Sequence, residues 1–515
     1  MKYLHIIIIV IITLSALATS TQVFAQNLGG PIRISPYQLS QLAASGKNVY
    51  VTYQKNSYDG NTQSYFTMSS DGGKSFRSPM DLGSAVEPVV ASYGDNVFLV
   101  WETGFTGWPP SHVMFAKSSD GGNTFGTPIL LDDNANSSSV ITQLLPDGKR
   151  LFAAIDELGE TPPYNSATYL ISSQDNGTTW GKKVELLPSA ILENPLGYGT
   201  SIQEVMGKIV VVSMKKLTCE NPNYCQYAIF LRSSADMGST FGPEIDIARS
   251  WNPVRLQMTS SENNIYVAWI DGTRGEGPSL YFSKSNDGGK NFSKPTAIGQ
   301  NEGEYDWPHM TAVGNTIHVI WQYNNENLID HVRYNGVIPP AFVSGFFYSK
   351  STDGGNTFSQ PVNLSGDVGT SYFSELSVEE GNVYVGWTSI HGGYEQEFFA
   401  RSTDGGNTFS NQVTPAGETN GGVSQIASSS SYVYLAGIAA SGNIVWLKAS
   451  SDHGAHFGPM MNLNGGKGEN EVSSLPFLCC VTDQPWFQNS WLWTAVAISA
   501  VIGSWFFLFR RLKER

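Results

Sequence analysis

The chain has 515 residues, of which 41% are hydrophobic and 14% are charged, so it is long enough to bury a large core. Its net charge is −14 at pH 7, and Lys and Arg form no run before the extreme C-terminus. This balance argues against nucleic acid as a partner. The 53 glycines suit a protein that contains many turns.

The N-terminus has the pattern of a secretory signal. A short basic and polar start precedes the apolar run from Ile6 to Leu17, and Val23-Phe-Ala25 fits a cleavage site with small residues. We therefore expect residues 1–25 to be a signal peptide that is removed before Gln26. An uncleaved N-terminal anchor is the alternative.

Residues 26–466 are organised by one repeated motif, S-x-D-x-G-x-[TSNH]-[FW], which occurs eight times at spacings of about fifty residues. An Asp followed by Gly is typical of a turn, because the carboxylate accepts backbone N–H bonds and Gly adopts positive φ at little cost. We call these segments the aspartate turns and expect their aspartates to stabilise turns, not to bind metal or catalyse. The aspartates are Asp71, Asp120, Asp175, Asp236, Asp287, Asp353, Asp404 and Asp452.

The unit around each aspartate turn contains four strand-like segments. In the clearest unit these are Pro88–Ser92, Val97–Trp101, Val113–Ser118 and Pro128–Leu131. Four antiparallel strands per fifty residues predict one blade of an all-β propeller. Trp closes the second strand in four of the eight units, and we assign these tryptophans to the core.

The repeat favours eight blades, with seven as the alternative. Pro31–Ser35 resembles a fourth strand that lies before the first unit, and it could compete with Met460–Leu463 for a place in the last blade. The blade count depends on which segment closes the ring.

The C-terminus has the pattern of a membrane anchor. Residues 467–489 form a predicted stalk, residues 490–509 a predicted transmembrane helix, and residues 510–515 a basic tail. This arrangement predicts a single-pass protein of the cell membrane, with the propeller outside and the tail in the cytoplasm. A tail removed for a lipid anchor is the weaker alternative.

Four cysteines fit an exported chain. Cys219 and Cys225 are close in sequence, and we expect a local disulfide between them. Cys479 and Cys480 could form a vicinal disulfide or an intermolecular bridge, or could remain free thiols. No cofactor or metal motif occurs, so we expect neither.

The eight motifs resemble the Asp-box, or BNR, repeats of the sialidase superfamily, and the resemblance covers nearly all of residues 26–466. It implies a propeller whose site lies on the face opposite the aspartate turns. In sialidases three arginines bind the substrate carboxylate, a Tyr–Glu pair supplies the nucleophile, and an Asp is the acid/base. Arg33-Ile-Ser-Pro36 is similar to the family's Arg-Ile-Pro motif but departs from it at the third position.

The resemblance and the loop positions give two sets of candidate residues on that face. The catalytic candidates are Arg33, Arg255, Arg333 and Asp306. The binding candidates are Trp108, Arg274, Trp307, His309 and Tyr394. Arg274 could instead pair with Asp271, and Arg333 with Asp330. The carboxylates expected in loops, most of them solvated, are Glu102, Glu157, Glu160 and Glu326.

Three functions fit the sequence. The favoured one is a membrane-tethered surface module that binds a glycan or a protein, because the scaffold is complete and the catalytic set is not. The alternatives are a sialidase-like exo-glycosidase and a structural component of the cell envelope. Three convergent arginines facing a Tyr–Glu pair would distinguish the enzyme.

Overall fold

The computed structural model describes residues 37–56, 62–103, 111–132, 137–159, 166–187, 200–221, 224–271, 279–298, 304–324, 345–366, 370–391, 394–414, 421–439 and 444–464. The predicted signal peptide, stalk, transmembrane helix and basic tail lie outside these residues, as do Cys479 and Cys480. Within the described ranges there is no helix of the length and apolar character needed to span a bilayer.

The described residues form strands in eight antiparallel sheets. In chain order the strands are β1 (Tyr37–Ser45), β2 (Asn48–Asn56), β3 (Thr62–Ser69), β4 (Met80–Asp81), β5 (Ala85–Tyr93), β6 (Asn96–Thr103), β7 (Val113–Ser118), β8 (Ile129–Leu130), β9 (Ser137–Asp147), β10 (Arg150–Gly159), β11 (Ser166–Ser173), β12 (Val184–Leu187), β13 (Thr200–Val205), β14 (Lys208–Asn221), β15 (Tyr224–Ser234), β16 (Ile245–Trp251), β17 (Val254–Ser261), β18 (Asn264–Asp271), β19 (Ser279–Ser285), β20 (Thr296–Ala297), β21 (Glu304–Val313), β22 (Thr316–Asn324), β23 (Gly345–Ser351), β24 (Val362–Asn363), β25 (Thr370–Glu379), β26 (Asn382–His391), β27 (Tyr394–Ser402), β28 (Gly421–Ser429), β29 (Tyr432–Ala439), β30 (Val445–Ser450) and β31 (Met461–Asn462).

Each sheet is one blade built from consecutive strands. Blade 1 is β1–β4, blade 2 is β5–β8, and the series continues to blade 8, β28–β31. Blade 7 has three strands among the described residues, β25–β27, and a single bridge between Phe399 and Val413 stands where its fourth strand would pair. The prediction of an eight-bladed propeller is confirmed, and the seven-bladed alternative is wrong.

Apolar second strands hold the blades together. Val97 to Leu99 in β6 are completely buried, because this strand has a neighbouring blade against each side. Every pair of adjacent blades shares one hydrophobic cluster, which gives eight clusters around the ring. Burial of apolar surface at about 25 cal/mol per Å² makes these clusters the main source of stability. The tryptophans Trp101, Trp269, Trp321 and Trp387 are buried, as expected for core residues.

The ring closes between blades 8 and 1 through side chains. Val49 and Val51 pack with Tyr434 and Leu447, and the backbone N–H of Leu42 donates to Gln425 Oε1 at 2.7 Å. The fourth strand of blade 8 is β31, which pairs with β30. The competing segment Pro31–Ser35 lies outside the described residues.

The aspartate turns repeat one hydrogen-bond pattern. In blade 6, Asp353 Oδ1 accepts from Ser351 Oγ at 2.7 Å and from the N–H of Thr357 at 3.0 Å, while Asp353 Oδ2 accepts from Thr357 Oγ1 at 2.6 Å. Bonds of the same kind lower the pKa of Asp236 to about 2, with the Thr240 hydroxyl the largest cause. Each carboxylate is thus occupied by its own turn.

The closing aromatic of the turn seals the joint with the preceding blade. Phe125 meets Phe66 edge to face with ring centroids 5.2 Å apart. The turn also needs close approach, because a Cβ added to Gly355 would lie 2.6 Å from Phe282 Cζ of the preceding blade. The turns therefore act between blades as well as within them.

The strand directions give the ring two faces. All eight aspartate turns lie at the ends of third strands, and we call that side the turn face. First strands begin and second strands end on the opposite side, which we call the mouth face. First strands of neighbouring blades contact one another around the whole ring, so they form the wall of the central channel.

Candidate functional site

The mouth face is marked by irregular first strands. In seven of the eight blades the pairing of the first with the second strand shifts register near its start. Such bulges are common beside active sites, because the extra residue redirects neighbouring side chains. The shifts come just before first-strand residues that pair with the fourth residue of each apolar second-strand segment, as Gln257 does with Ala268.

Those residues form what we call the inner belt, one from each first strand, all of them half-buried. Its members are Gln41, Val89, Gln143, Ser201, Gln257, His309, Glu375 and Gln425. Gln143 bonds to both backbone groups of Ile202 on the next blade, at 2.8 and 2.9 Å. Gln41 and Gln257 have no side-chain hydrogen bond to another described residue. Gln425 likewise accepts from the N–H of Leu42 on the next blade, so the belt combines carboxamides that join neighbouring blades with two that have no described partner.

His309 and Glu375 bring the titratable pair of the belt together across blades 6 and 7. His309 Nδ1 lies 4.0 Å from Glu375 Oε2, and each side chain is 31% exposed. Burial raises the pKa of Glu375, and His309 opposes that shift. The predicted binding residue His309 thus lies on the channel wall with a carboxyl group beside it.

Two carboxylates expected in loops lie in strands instead, and that expectation was wrong for them. Glu102 pairs with Val113 inside the sheet and is 3% exposed, and Glu157 pairs with Ala167 and is 5% exposed. The second strands continue past their apolar residues, so both side chains are buried. Glu157 forms an ion pair with Lys183. Glu160 and Glu326 lie outside the described residues.

Glu102 contacts the next blade. Its Oε1 accepts from the backbone N–H of Ile141 in the next blade at 3.3 Å. Burial, followed by the charge of Glu87, raises the pKa of Glu102 to about 8. Glu102 therefore holds a proton at neutral pH, but its burial keeps it from direct contact with a ligand in the channel.

Arg255 is the member of the predicted arginine triad that the structure describes. It lies in the register shift between Val254 and Gln257, has a φ of 56°, and is half-buried at the start of a first strand. Few non-glycine residues adopt this conformation, which is enriched at functional sites. Arg33 and Arg333 lie outside the described residues, so the triad stays a prediction.

The other candidates are placed by backbone alone or not at all. Asp306 and Trp307 lie on β21, and Tyr394 lies on β27. Trp108 and Arg274 are outside the described residues. Asp271, the suggested partner of Arg274, accepts from Ser250 Oγ at 2.7 Å. No group of three or more metal-ligating side chains occurs in the part of the chain that the structure describes.

The disulfide between Cys219 and Cys225 is confirmed. The two residues pair directly across β14 and β15, near the tip of the hairpin. This hairpin ends on the mouth face, since second strands end there. The spacing of the cysteines predicted the bridge, and the structure places it within the β14–β15 pairing, next to register shifts on both sides of Cys219.

The turn face varies at the start of the second strand. Four blades place two aromatic rings side by side there, such as Tyr266 on Phe282 with centroids 6.1 Å apart. Blade 6 has His318 and Tyr348 instead, joined by a 2.7 Å hydrogen bond. His318 and Lys350 line a cleft of about 290 Å³ there. Burial, then Lys350, lowers the pKa of His318 to about 4.

Comparison with known proteins finds solved structures only; no protein-family model and no curated protein matches the chain. A Hadza microbial sialidase is 13% identical at a TM-score of 0.34 over 68% of this chain, which spans 63% of that protein. An ulvan lyase of polysaccharide lyase family PL25 is 11% identical at 0.41, with coverages of 81% and 94%. A puromycin-hydrolysing peptidase of Mycobacterium tuberculosis is 11% identical at 0.45, with coverages of 79% and 59%.

These likenesses concern the propeller fold alone. The identities are far below those at which an activity is shared, and the three proteins have three different activities. The eight-bladed architecture rests on the sheet topology of this chain.

Proposed function

We propose that this chain is a carbohydrate-binding propeller displayed at the cell surface, with its ligand at the mouth face. The inner belt carries the proposal. Its members are mostly uncharged donors and acceptors on a channel wall, and Gln41 and Gln257 have free carboxamides among the described residues. A carboxamide offers two donors and an acceptor, which suits the hydroxyl and acetamido groups of sugars.

The charge at the belt supports the same class of ligand. The described belt residues include one acid, Glu375, and no Lys or Arg. Burial raises the pKa of Glu375, and a carboxyl group that holds its proton can donate a hydrogen bond. A phosphate-rich ligand would need a cluster of cations that the belt lacks.

Display at the cell surface rests on the sequence. Residues 1–25 fit a signal peptide, and residues 490–509 have the length and composition of a single membrane span. The confirmed disulfide suits an oxidising compartment. The propeller would then face outward on a short stalk.

Glycoside hydrolysis is the second candidate, and it depends on Glu375. A general acid must hold a proton near neutral pH, and Glu375 combines a raised pKa with 31% exposure and a histidine 4.0 Å away. Hydrolysis also needs a second group within about 5 to 9 Å of the acid. Glu102 is too deeply buried to supply it.

Glycan binding and hydrolysis can be tested with the full-length protein in detergent micelles. We expect binding to an array of neutral, amino and sialylated glycans. Gln41→Ala and Gln257→Ala should each weaken the affinity about tenfold, the loss of one or two hydrogen bonds. The matched control is Gln63→Ala, an exposed residue of β3 bonded to Asp81 at 2.8 Å, which should bind as the wild type does.

The same preparation should be tested on fluorogenic glycosides. Turnover that is lost in Glu375→Gln would establish the hydrolase, and binding without turnover would establish the binding module. If the wild type neither binds nor cleaves any glycan, or if the belt variants bind normally, the proposal is wrong.

A further inference from the structure

Among the described strands, those of blade 4 continue furthest on the mouth face. Its second strand, β14, has 14 residues, and its fourth, β16, has 7. The other second strands have 8 to 10 residues, and the other described fourth strands have 2 to 4. At about 3.3 Å per residue, the four to six residues by which β14 exceeds the described second strands of the neighbouring blades span roughly 13 to 20 Å. We call this extension the blade 4 arm.

The arm is built to be rigid. A disulfide between Cys219 and Cys225 joins β14 to β15. Tyr224 of β15 stacks on Trp251 of β16, with ring centroids 4.6 Å apart and planes 4° from parallel. Tyr224 is buried and Trp251 is half-buried. Three paired strands, a disulfide and a stacked ring pair hold a shape that an isolated hairpin would not keep in water.

The arm is also fixed to the channel mouth. The backbone N–H of Asn252 donates to Cys225 O, and the N–H of Cys225 donates to Asn252 Oδ1, both at 2.8 Å. Ser250 bonds to Asp271 of blade 5 at 2.7 Å and accepts from Trp269 Nε1 at 3.2 Å. These bonds anchor the arm where the chain enters blade 5.

Arg255 follows within four residues of Trp251, so their Cα atoms are at most about 14 Å apart. Asn252 and Arg255 both have positive φ, at 44° and 56°. Left-handed conformations of non-glycine residues persist when surrounding contacts impose them. The bonds from Asn252 to Cys225 are such contacts, so the arm and the backbone at Arg255 form one connected structure.

We propose that the blade 4 arm is a wall of the glycan site, and that Trp251 is a platform for a sugar unit bound outside the channel mouth. This inference rests on the proposed function and deepens it: the ligand is an oligosaccharide of two or more units. Its end reaches the inner belt, and its next unit lies on the arm. A rigid aromatic ring gives large contact area at low entropic cost, which is why Trp and Tyr recur in binding surfaces.

The test compares glycans of different length. The probes are N-acetylglucosamine with chitobiose and chitotriose, and N-acetylneuraminic acid with 3′-sialyllactose, titrated against the full-length protein in detergent micelles. We expect the wild type to bind at least one longer probe tenfold or more tightly than its single-unit partner. Trp251→Ala should abolish that gain and change the single-unit affinity less than twofold.

Three further variants separate the platform from general damage. Trp251→Phe should keep part of the gain, because the ring remains. Cys219→Ser with Cys225→Ser should lose most of it, because the arm is no longer braced. Tyr93→Ala is the matched control: Tyr93 is a 53% exposed aromatic at the end of β5 on the turn face, and its loss should change nothing.

The outcomes are distinguishable. A length gain that survives in Trp251→Ala overturns the inference while leaving the proposed function standing. Equal losses for single-unit and longer probes also overturn it, since they would place Trp251 in support of the mouth alone. A wild type that binds none of the probes or the array glycans overturns the proposed function, and the inference with it.

Discussion

The two faces of the ring are built from the same repeated unit, but equivalent positions are more uniform on the turn face than on the mouth face. On the turn face all eight aspartates bond to the serine two residues before them, as Asp71 does with Ser69 at 2.7 Å and Asp452 with Ser450 at 2.7 Å. On the mouth face the corresponding positions differ from blade to blade, as in the inner belt. Conformity marks the scaffold, and variation marks the surface available for recognition.

The turn face is not uniform at every position, because blade 6 has His318 and Tyr348 where four other blades have a stacked aromatic pair. Both residues of the pair differ in blade 6. Three other blades have a Tyr stacked on a Phe, whereas blade 6 has His318 in the Tyr position and Tyr348 in the Phe position. The hydroxyl moves from one partner to the other and is satisfied by the imidazole. The comparison between faces can be tested by altering single positions on each of them.

The largest effect is expected on the turn face, from Gly355→Ala. The new Cβ would lie 2.6 Å from Phe282 Cζ, and φ is +81°. Strain and overlap together should cost about 4 kcal/mol. Gly314→Ala is the control, since φ is +56° but no heavy atom lies within 4 Å, and it should cost about 1 kcal/mol. Urea unfolding measures the stability of both variants. Equal losses of stability would show that the close approach of Phe282 to Gly355 contributes nothing.

The next effect concerns a buried acid on the mouth face, through Glu102→Gln. The pKa of Glu102 is raised to about 8 in the folded protein, so the folded state binds more protons than the unfolded state between pH 4.5 and 8. Wild-type stability should therefore fall as pH rises through this window, by about 2 to 4 kcal/mol at most. Gln keeps the acceptor for Ile141 and cannot ionise.

Urea unfolding at pH 5 and pH 8 measures this difference. We expect Glu102→Gln to be the more stable protein at pH 8 and close to the wild type at pH 5. A wild type and a variant with the same dependence on pH would show that Glu102 is ionised in the folded protein.

The smallest effect concerns the exceptional pair of blade 6. The pKa of His318 is lowered to about 4 by burial and then by Lys350, so the unfolded state binds more protons between pH 4 and 6.5. Stability should be lost as pH falls through this window, by roughly 2 to 3 kcal/mol. The double variant His318→Tyr with Tyr348→Phe restores the common pair and should remove that loss. Thermal unfolding of both proteins between pH 4 and 7 measures the loss. A double variant that loses as much stability at low pH as the wild type would contradict the prediction.

The sequence was sufficient to predict the scaffold, because eight consecutive residues identify each aspartate turn. Strand alternation, turn chemistry and the Cys219–Cys225 bridge are all local signals, and local signals survive in one sequence. The blade count followed from their number.

The mouth face could not be predicted in the same way. Register shifts before residues such as Gln41 and Gln257 break the alternation that assigns a side chain to a face. Glu102 follows an apolar strand and looks like the start of a loop, but its burial depends on pairing with Val113 and on the next blade. Contacts between blades join residues that are distant in sequence, so local sequence patterns do not predict them.

The closure of the ring through side chains has a kinetic consequence. Described hydrogen bonds between the other neighbouring blades join residues 19 to 87 positions apart, as in Trp269 to Ser250 and Arg150 to Met237. Those between blades 8 and 1 join residues 383 to 410 apart. Long loops cost more entropy to close, and distant contacts form slowly. The eighth joint should be the last to form during folding, so an open arc of blades precedes the closed channel.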